Sequence, residues 1–345
     1  MNNFIIEELL EILRAITVQS AESFSFAGKD FGPLDPSRSL WQVAPAKNPL
    51  VAQLAQQLYS HAYCRKFNGR LADDAYDPNT VMADDILAEL SSANSGRERW
   101  DVGWQVQRLM PSAQIIAYKG GLARLLWPGE FVSHEGPGVP VREGSRISVF
   151  APRESTTMQP GFYFIFSETV SDQQDDYSLL RFYWHISDAT APKLVQLISH
   201  EFNRFQIPFR LKSLAARAFY RRSDAAVLYV NKRFYRLSTE LLSDIHDQIR
   251  EGLGPDTPLF TKRLAPGLGL AEEPGNGESF GQNRCRILAE SIWSSHEKNL
   301  HSEPERLEEA RKHFASNGLA LDAPYLNPGS TDKYEFPPDS ALERK

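Results

Sequence analysis

The chain has 345 residues, 41% hydrophobic and 24% charged, the composition of a globular protein of one or two domains and not of a fibrous or disordered one. Its net charge of −6, from 38 basic and 44 acidic side chains, has the wrong sign for gripping duplex nucleic acid by its phosphates. Two cysteines (Cys64 and Cys285), no membrane-length apolar run and an acidic start without a signal peptide's basic region place the chain in a reducing cytoplasm.

Residues 3–17 read as an amphipathic helix, because Ile5, Leu9, Ile12 and Ile16 fall near a 3.6-residue period. GKDFGPLDPSRS then reads as a loop. Leu50, Leu54 and Leu58 mark a second helix, and Met82, Ile86, Leu87 and Leu90 a third over 82–91. The small polar run SSANSGRER (91–99) is the expected boundary of this region. After residue 100 the period changes to two. VGWQVQRLM and AQIIAYKGGLARLLW read as strands, with Lys119-Gly120-Gly121 as a hairpin turn. ISVFAP, GFYFIFSE and SLLRFYWHIS follow as further strands. Next come a helix over 191–205, the strands IPFRLKS and AAVLYVN, and helices over 234–250 and 284–299. Strands in runs with helices inserted predict an α+β fold with a mostly antiparallel sheet, preceded by a small helical region. The expected organisation is a mainly helical region at 1–99, an α+β domain at 100–330 and a C-terminal tail at 331–345. The charged, proline-rich end of the chain is expected to wrap the surface.

In LLRFYWHIS, alternation places Leu180, Phe182, Trp184 and Ile186 on one face and Arg181, Tyr183, His185 and Ser187 on the other. The first face is core. The second, a row of cation, phenol, imidazole and hydroxyl, is expected to face solvent, as one side of an antiparallel sheet commonly does. The next strand repeats the pattern with Arg210 and Lys212, and Arg221 and Arg222 lead into AAVLYVN. From Arg204 to Arg236 there are nine Lys or Arg and one acid, Asp224, enough to hold a small anion such as a phosphate group. Two cations two residues apart on a strand disfavour each other's charge, which favours the neutral lysine that a general base requires.

The stretch from about Gly161 to Ser330 resembles the HopA family of type III secretion effectors and their bacterial relatives. The resembling segments are RFYWHIS, NRFQIPFRLKS, YRRSDAAVLYV, DTPLFTKRLAPGLGLAEEPGNGESFGQNRCRI and PYLNPGS. Relatives with these segments accompany kinase-like proteins in class V lanthipeptide biosynthesis, where they act as phosphoserine/phosphothreonine lyases that make dehydroamino acids. A more distant resemblance is to the phosphothreonine lyase effectors of the OspF type. Those have a strand reading Lys-Phe-His-Ile-Ser, a helix, a strand reading Lys-Trp-Lys-Val and an arginine before an aliphatic strand. Here the same order is Tyr183-Trp184-His185-Ile186-Ser187, the helix, Arg210-Leu211-Lys212-Ser213, then Arg221 and Arg222. The resemblance implies Lys212 as general base, His185 as general acid, Arg210 as a cation of the site and Arg221 or Arg222 as a phosphate-binding arginine. Tyr183 stands where that family has lysine. The charge that steadies an enolate-like intermediate is therefore expected from another group.

Seven of the 21 glycines lie within residues 252–281, bracketed by Lys262, Arg263, Arg284 and Arg286. The HopA resemblance is strongest in this block. With the helix N-terminus that follows, it offers backbone amides to a phosphate or a peptide backbone; an ordinary Gly/Pro connection is the alternative reading. Cys285 reads as a small core side chain, and His61, His134, His200, His246, His296, His301 and His313 read as solvated.

β-Elimination of phosphate needs a base for the Cα proton, an acid for the departing oxygen and cations on the phosphate. With arginines in the last role it needs no metal. The sequence has no HExxH, Walker loop or Cys–His metal pattern, and no cofactor is expected. The expected function is a cytoplasmic phosphoserine/phosphothreonine lyase acting on a precursor peptide phosphorylated by a kinase-like partner, with no nucleic-acid or membrane partner. Residues 1–99 are expected to dock the leader peptide or the kinase. The alternative is a non-catalytic HopA-type effector or phosphopeptide-binding module, secreted into host cells and acting through protein contacts. Tyr183 favours this alternative; the His185/Lys212 pair favours the enzyme.

Overall fold

The structure, a computed structural model, describes residues 3–33, 48–71, 86–136, 138–275 and 277–337. α1 (Asn3–Ala15) buries Ile5, Leu9 and Ile12, as its period requires. It runs into a small antiparallel sheet of β1 (Ile16–Ser20), β2 (Ser23–Phe26) and β3 (Lys29–Phe31). The sequence signal missed these strands: β1 continues directly from the helix, and β3 lies inside GKDFGPLDPSRS. α2 (Pro49–Leu58), capped by Asn48, passes into a π-helical turn at Tyr59–Tyr63. α3 (Ile86–Ala93) is the described part of the helix expected over 82–91; Met82 lies outside the described residues.

The period-two region builds two sheets, not one. The first comprises β4 (Arg99–Leu109), β5 (Ile115–Lys119), β6 (Leu122–Leu126), β7 (Phe131–Ser133) and β8 (Arg146–Ala151). Its antiparallel order is β6-β5-β4-β8-β7. Gly120 and Gly121, at φ 55° and 87°, form the expected hairpin, in which both central residues adopt left-handed backbone.

The second sheet holds β9 (Glu154–Ser155), β10 (Phe162–Phe166) and β11 (Leu179–Trp184), followed by α4 (Ala191–Arg204). β12 (Phe209–Leu214), β13 (Ala226–Asn231), α5 (Tyr235–Ile249), β14 (Lys262–Ala265) and β15 (Leu268–Glu272) complete it. The order is β14-β15-β11-β13-β12-β10-β9, antiparallel throughout, so β11 and β12 lie on either side of β13. α6 (Phe280–Glu297) and α7 (Glu303–Ser316) are the last regular elements among the described residues. α6 starts earlier than the expected 284, behind a capping box made by Ser279 and Gln282. The fold is α+β.

Both faces of the seven-stranded sheet are covered. Leu180, Phe182, Trp184, Leu211 and Leu228 pack with α4 and α5. Tyr183, Val227 and Tyr229 pack in a second core with side chains of α1, α2, α6 and α7. The polar side of β11 is therefore interior, with Arg181 7% and Tyr183 1% exposed, where a solvated face was expected. The N-terminal helices together with α6 and α7 are what cover it. The described part of the chain's end, up to residue 337, is anchored by buried Leu321, Tyr325 and Tyr334, while most of its residues between and after them lie at the surface.

Gly281, in the first turn of α6, lies against Tyr63: a Cβ there would stand 2.4 Å from the ring. Alanine has the better helix propensity, yet overpacking a filled contact costs about 1–3 kcal/mol. Gly281→Ala is expected to lower the urea midpoint. A variant as stable as the wild type would show that the N-terminal layer yields at this contact.

Candidate functional site

The site begins with register. Across three neighbouring strands Arg181 pairs with Tyr229 and Tyr229 with Arg210; in the next row on the same face Tyr183, Val227 and Lys212 are aligned. Strands lie about 4.8 Å apart, so Tyr183 and Lys212 are roughly 10 Å apart at their α-carbons, over β13. The Arg181 guanidinium lies 5.0 Å and that of Arg210 4.5 Å from the Tyr229 ring centroid, one from each side. The Lys212 amine stands 4.2 Å over the ring of Phe162.

Arg181 is hydrogen-bonded through Nε to the carboxylate of Glu273. Among the described residues Arg210 and Lys212 have no ion pair, and Arg210 Nε is buried without a hydrogen-bond partner. Of the three cations only Arg181 is thus met by a carboxylate among the described residues. Their effect is visible on Tyr229: burial alone would raise its phenol, but Arg181, Lys212 and Arg210 hold it below the ordinary value.

His185 follows β11 directly. Its N–H donates to Gly267 O at 2.9 Å and its carbonyl accepts from Gly254 N at 2.8 Å. A Cβ on Gly254 would lie 2.4 Å from the imidazole, so this glycine is there to let the ring sit down on the backbone. Nδ1 is buried with no partner among the described residues. Burial pulls the imidazole below its ordinary value, against the opposing pull of Asp256 and, more weakly, Asp224. Tyr183 is packed edge-on to Tyr63, with centroids 6.5 Å apart, and tilted against Phe280. Its hydroxyl has no hydrogen-bond partner among the described residues, and burial pushes the phenol up.

Other candidate cations are engaged elsewhere. Arg222, 1% exposed, is closed bidentately on Asp224 at 2.7 Å and also donates to the Tyr59 hydroxyl at 3.2 Å. Beside it Ser223 N donates to Cys64 O at 2.7 Å, so this corner ties the N-terminal layer to the sheet. Buried Arg284 donates to the carbonyls of Pro324 at 2.7 Å and Leu326 at 3.1 Å, and desolvation pulls it down to about 10. Arg286 pairs with Glu278 and Glu290, each at 2.8 Å, and Lys262 with Asp332 at 2.6 Å. Arg221 is exposed in the turn before β13. The glycine-rich block is a packing element: part of it is strand β15, Gly254 and Gly267 seat His185, and Gly281 admits Tyr63. His61 and His246, expected in solvent, are buried, the latter with Nε2 3.0 Å from Pro266 O. Cys285 is buried, as expected.

Arg181, Tyr229 and Asp256 are the groups to which sequence reasoning gave no role. Alternation had placed Arg181 on the right face. Nothing local marks Tyr229, since its significance comes from register with two flanking strands.

Residues 153–326 match the model of the HopA1 effector protein family, and the chain belongs to that family. The match takes in the whole cation row and leaves out the five-stranded sheet. The chain aligns with the structure of the effector protein from Pseudomonas syringae pv. tomato strain DC3000 at 15% identity, over 79% of this chain and 88% of that one, with a TM-score of 0.44. With the effector protein from Pseudomonas syringae pv. syringae strain 61 the identity is 15%, over 48% of this chain and 62% of that one, with a TM-score of 0.36. No curated protein sequence matches the chain. Among the described residues no helix is long and apolar enough to cross a membrane.

Removing one partner of a buried ion pair strands the other, which costs about 3–5 kcal/mol. Arg222→Ala is expected to lose that much unfolding free energy, read by urea titration. Unchanged stability with lost anion binding would instead return Arg222 to the site.

Proposed function

We propose that the chain is a phosphoserine/phosphothreonine lyase acting in the cytoplasm on a precursor peptide already phosphorylated by a kinase-like partner. The observation that carries this reading is the cation row: Arg181, Arg210 and Lys212 around a buried phenol, with a carboxylate, Glu273, on Arg181 alone. A half-buried surplus of positive charge fits a phosphate dianion. In the reaction the Lys212 amine takes the Cα proton, the Cβ–O bond breaks, and a Cα=Cβ double bond forms. His185 gives its proton to the departing phosphate oxygen. The products are a dehydroalanine or dehydrobutyrine residue and inorganic phosphate. Arg210 and Arg181 neutralise the phosphate and the enolate-like charge, and Arg181 supplies the positive charge that Tyr183 does not.

The second reading, an effector-type module that binds phosphorylated protein without chemistry, is favoured by one observation. Tyr183, at the position of a lysine in OspF-type lyases, is packed among Tyr63 and Phe280 with its hydroxyl unpartnered.

Lys212→Ala is expected to abolish phosphate release from a phosphopeptide while binding survives, and His185→Ala to slow release by roughly 10²–10⁴-fold. Wild-type protein that binds the phosphopeptide and leaves it intact, with no loss of phosphoric acid by mass spectrometry, establishes the binding module. The pH profile tests the acid separately. Acid catalysis uses the protonated ring, whose pKa burial lowers from 6.5, so kcat/KM should fall as pH rises through a value below that. Asp256→Asn removes a charge that opposes the shift, and the limb should move to lower pH. A limb that stays in place assigns the acid role to another group.

A further inference from the structure

The five-stranded sheet has one face packed and one face open. Trp104, Val106, Ile115, Ala117, Ile147 and Val149 form its core. On the other side, register brings together a second set. Trp100 pairs with Phe150, Val132 with Ser148, Gln105 with both Arg146 and Tyr118, and Ile116 with both Arg108 and Leu125. Trp100 is 46%, Val132 45%, Tyr118 43% and Leu125 40% exposed. The Trp100 and Phe150 rings touch, with centroids 5.1 Å apart. Arg108 and Arg146 are exposed, and neither has an ion pair among the described residues. No position that register places on this face is Asp or Glu.

Scattered exposed apolar residues are ordinary, but a contiguous set on one sheet face, mixed with arginine, has the composition of an interface. We infer that the outer face of the β4–β8 sheet docks an acidic polypeptide segment carrying aliphatic or aromatic side chains. Charge selects this occupant. Two unpaired arginines with no acid on the face attract a negative partner and would repel each other across a two-fold contact with a second copy. Single-stranded nucleic acid fits less well, because the face carries only two arginines to track a phosphate backbone and the chain's net charge is −6. The inference stands apart from the lyase reading, since the sheet lies outside the family match at residues 153–326.

The test is fluorescence anisotropy with the full chain and three labelled probes: a peptide mixing Asp and Glu with Leu and Tyr, its counterpart with Lys for each acid, and oligo-dT. The wild type should bind the acidic peptide and not the basic one. Trp100→Ser should weaken binding by about ten-fold or more, the usual effect of losing an aromatic anchor. Arg108→Glu combined with Arg146→Glu should reverse the preference between the peptides. All three substitutions are at exposed positions, and circular dichroism melting confirms that each variant is folded. The inference is overturned if the wild type binds neither peptide, if the variants bind the acidic peptide as well as the wild type does, or if oligo-dT binds more tightly. A dimer in sedimentation velocity that Trp100→Ser disperses would overturn it too, in favour of self-association.

Discussion

Because the inner face of the seven-stranded sheet is buried along β11 and β13 and half-buried along β12, a charge on its rows is answered mainly within the protein or by something that enters it. A charge left alone in such a place is costly, since the desolvation that burial imposes is not returned. Most of the inner charges are answered. Asp224 closes on Arg222, Glu273 holds Arg181, and buried Glu272 is met by Lys232 at 2.7 Å. Arg210 and Lys212 are the exceptions, and they lie side by side on β12. The aromatic faces of Tyr229 and Phe162 soften the imbalance, because a ring's electron-rich face attracts a cation. They do not neutralise it. Local rules that are broken in an otherwise consistent fold tend to mark function.

The N-terminal helices bear directly on that imbalance. Together with α6 and α7 they form the lid over the inner face, and they are fastened at points specialised to receive them. Gly281 leaves space for Tyr63, and Arg222 reaches Tyr59. A region expected to dock a partner is thus part of the core from which the site is built. Burial comes first in both the upward shift of Tyr183, against Tyr63 of this layer, and the downward shift of His185, seated on Gly254. Desolvation and charge therefore act on one surface from opposite sides: the lid strengthens every interaction the cations can make.

Periodicity carried most of the fold. The helices, the β5–β6 hairpin and the strands β10 to β13 are legible because their apolar residues repeat at a fixed interval over five or more positions. β2 and β3 are too short for a period to show, and β15 is masked by the glycines that let Thr261 and its neighbours approach it. Which sheet face is wet was not legible, because alternation separates two faces without saying what lies above each. The site was half legible for a similar reason. In sequence, Arg210, Arg222, Arg284 and Arg286 are equivalent cations, and the distinction rests on partners that no periodicity marks: a carbonyl at Pro324, forty residues from Arg284, and a carboxylate at Glu278, eight residues from Arg286. Arg222 is the instructive case, since its partner Asp224 was the one acid in the basic stretch and stood two residues away.

Tyr183 and Arg181 show how the charge in this site differs from a simple exchange of one residue for another. Successive same-face residues on a strand are roughly 7 Å apart, so the cation of β11 stands in the row of Tyr229, that distance along the strand from position 183. Glu273 fixes it there. A cation anchored by a carboxylate gives up part of its field but needs no reorganisation when charge develops beside it, which is the condition under which electrostatic stabilisation is most effective. Position 183 is occupied by a tyrosine packed in an aromatic cluster with Tyr63 and Phe280. An anion drawn to the row would accordingly sit over Tyr229, between β11 and β12 and beside Lys212, with the imidazole reached along β11 instead of from directly opposite. The row and the lid together, more than any single residue at position 183, set where a phosphate group could be held.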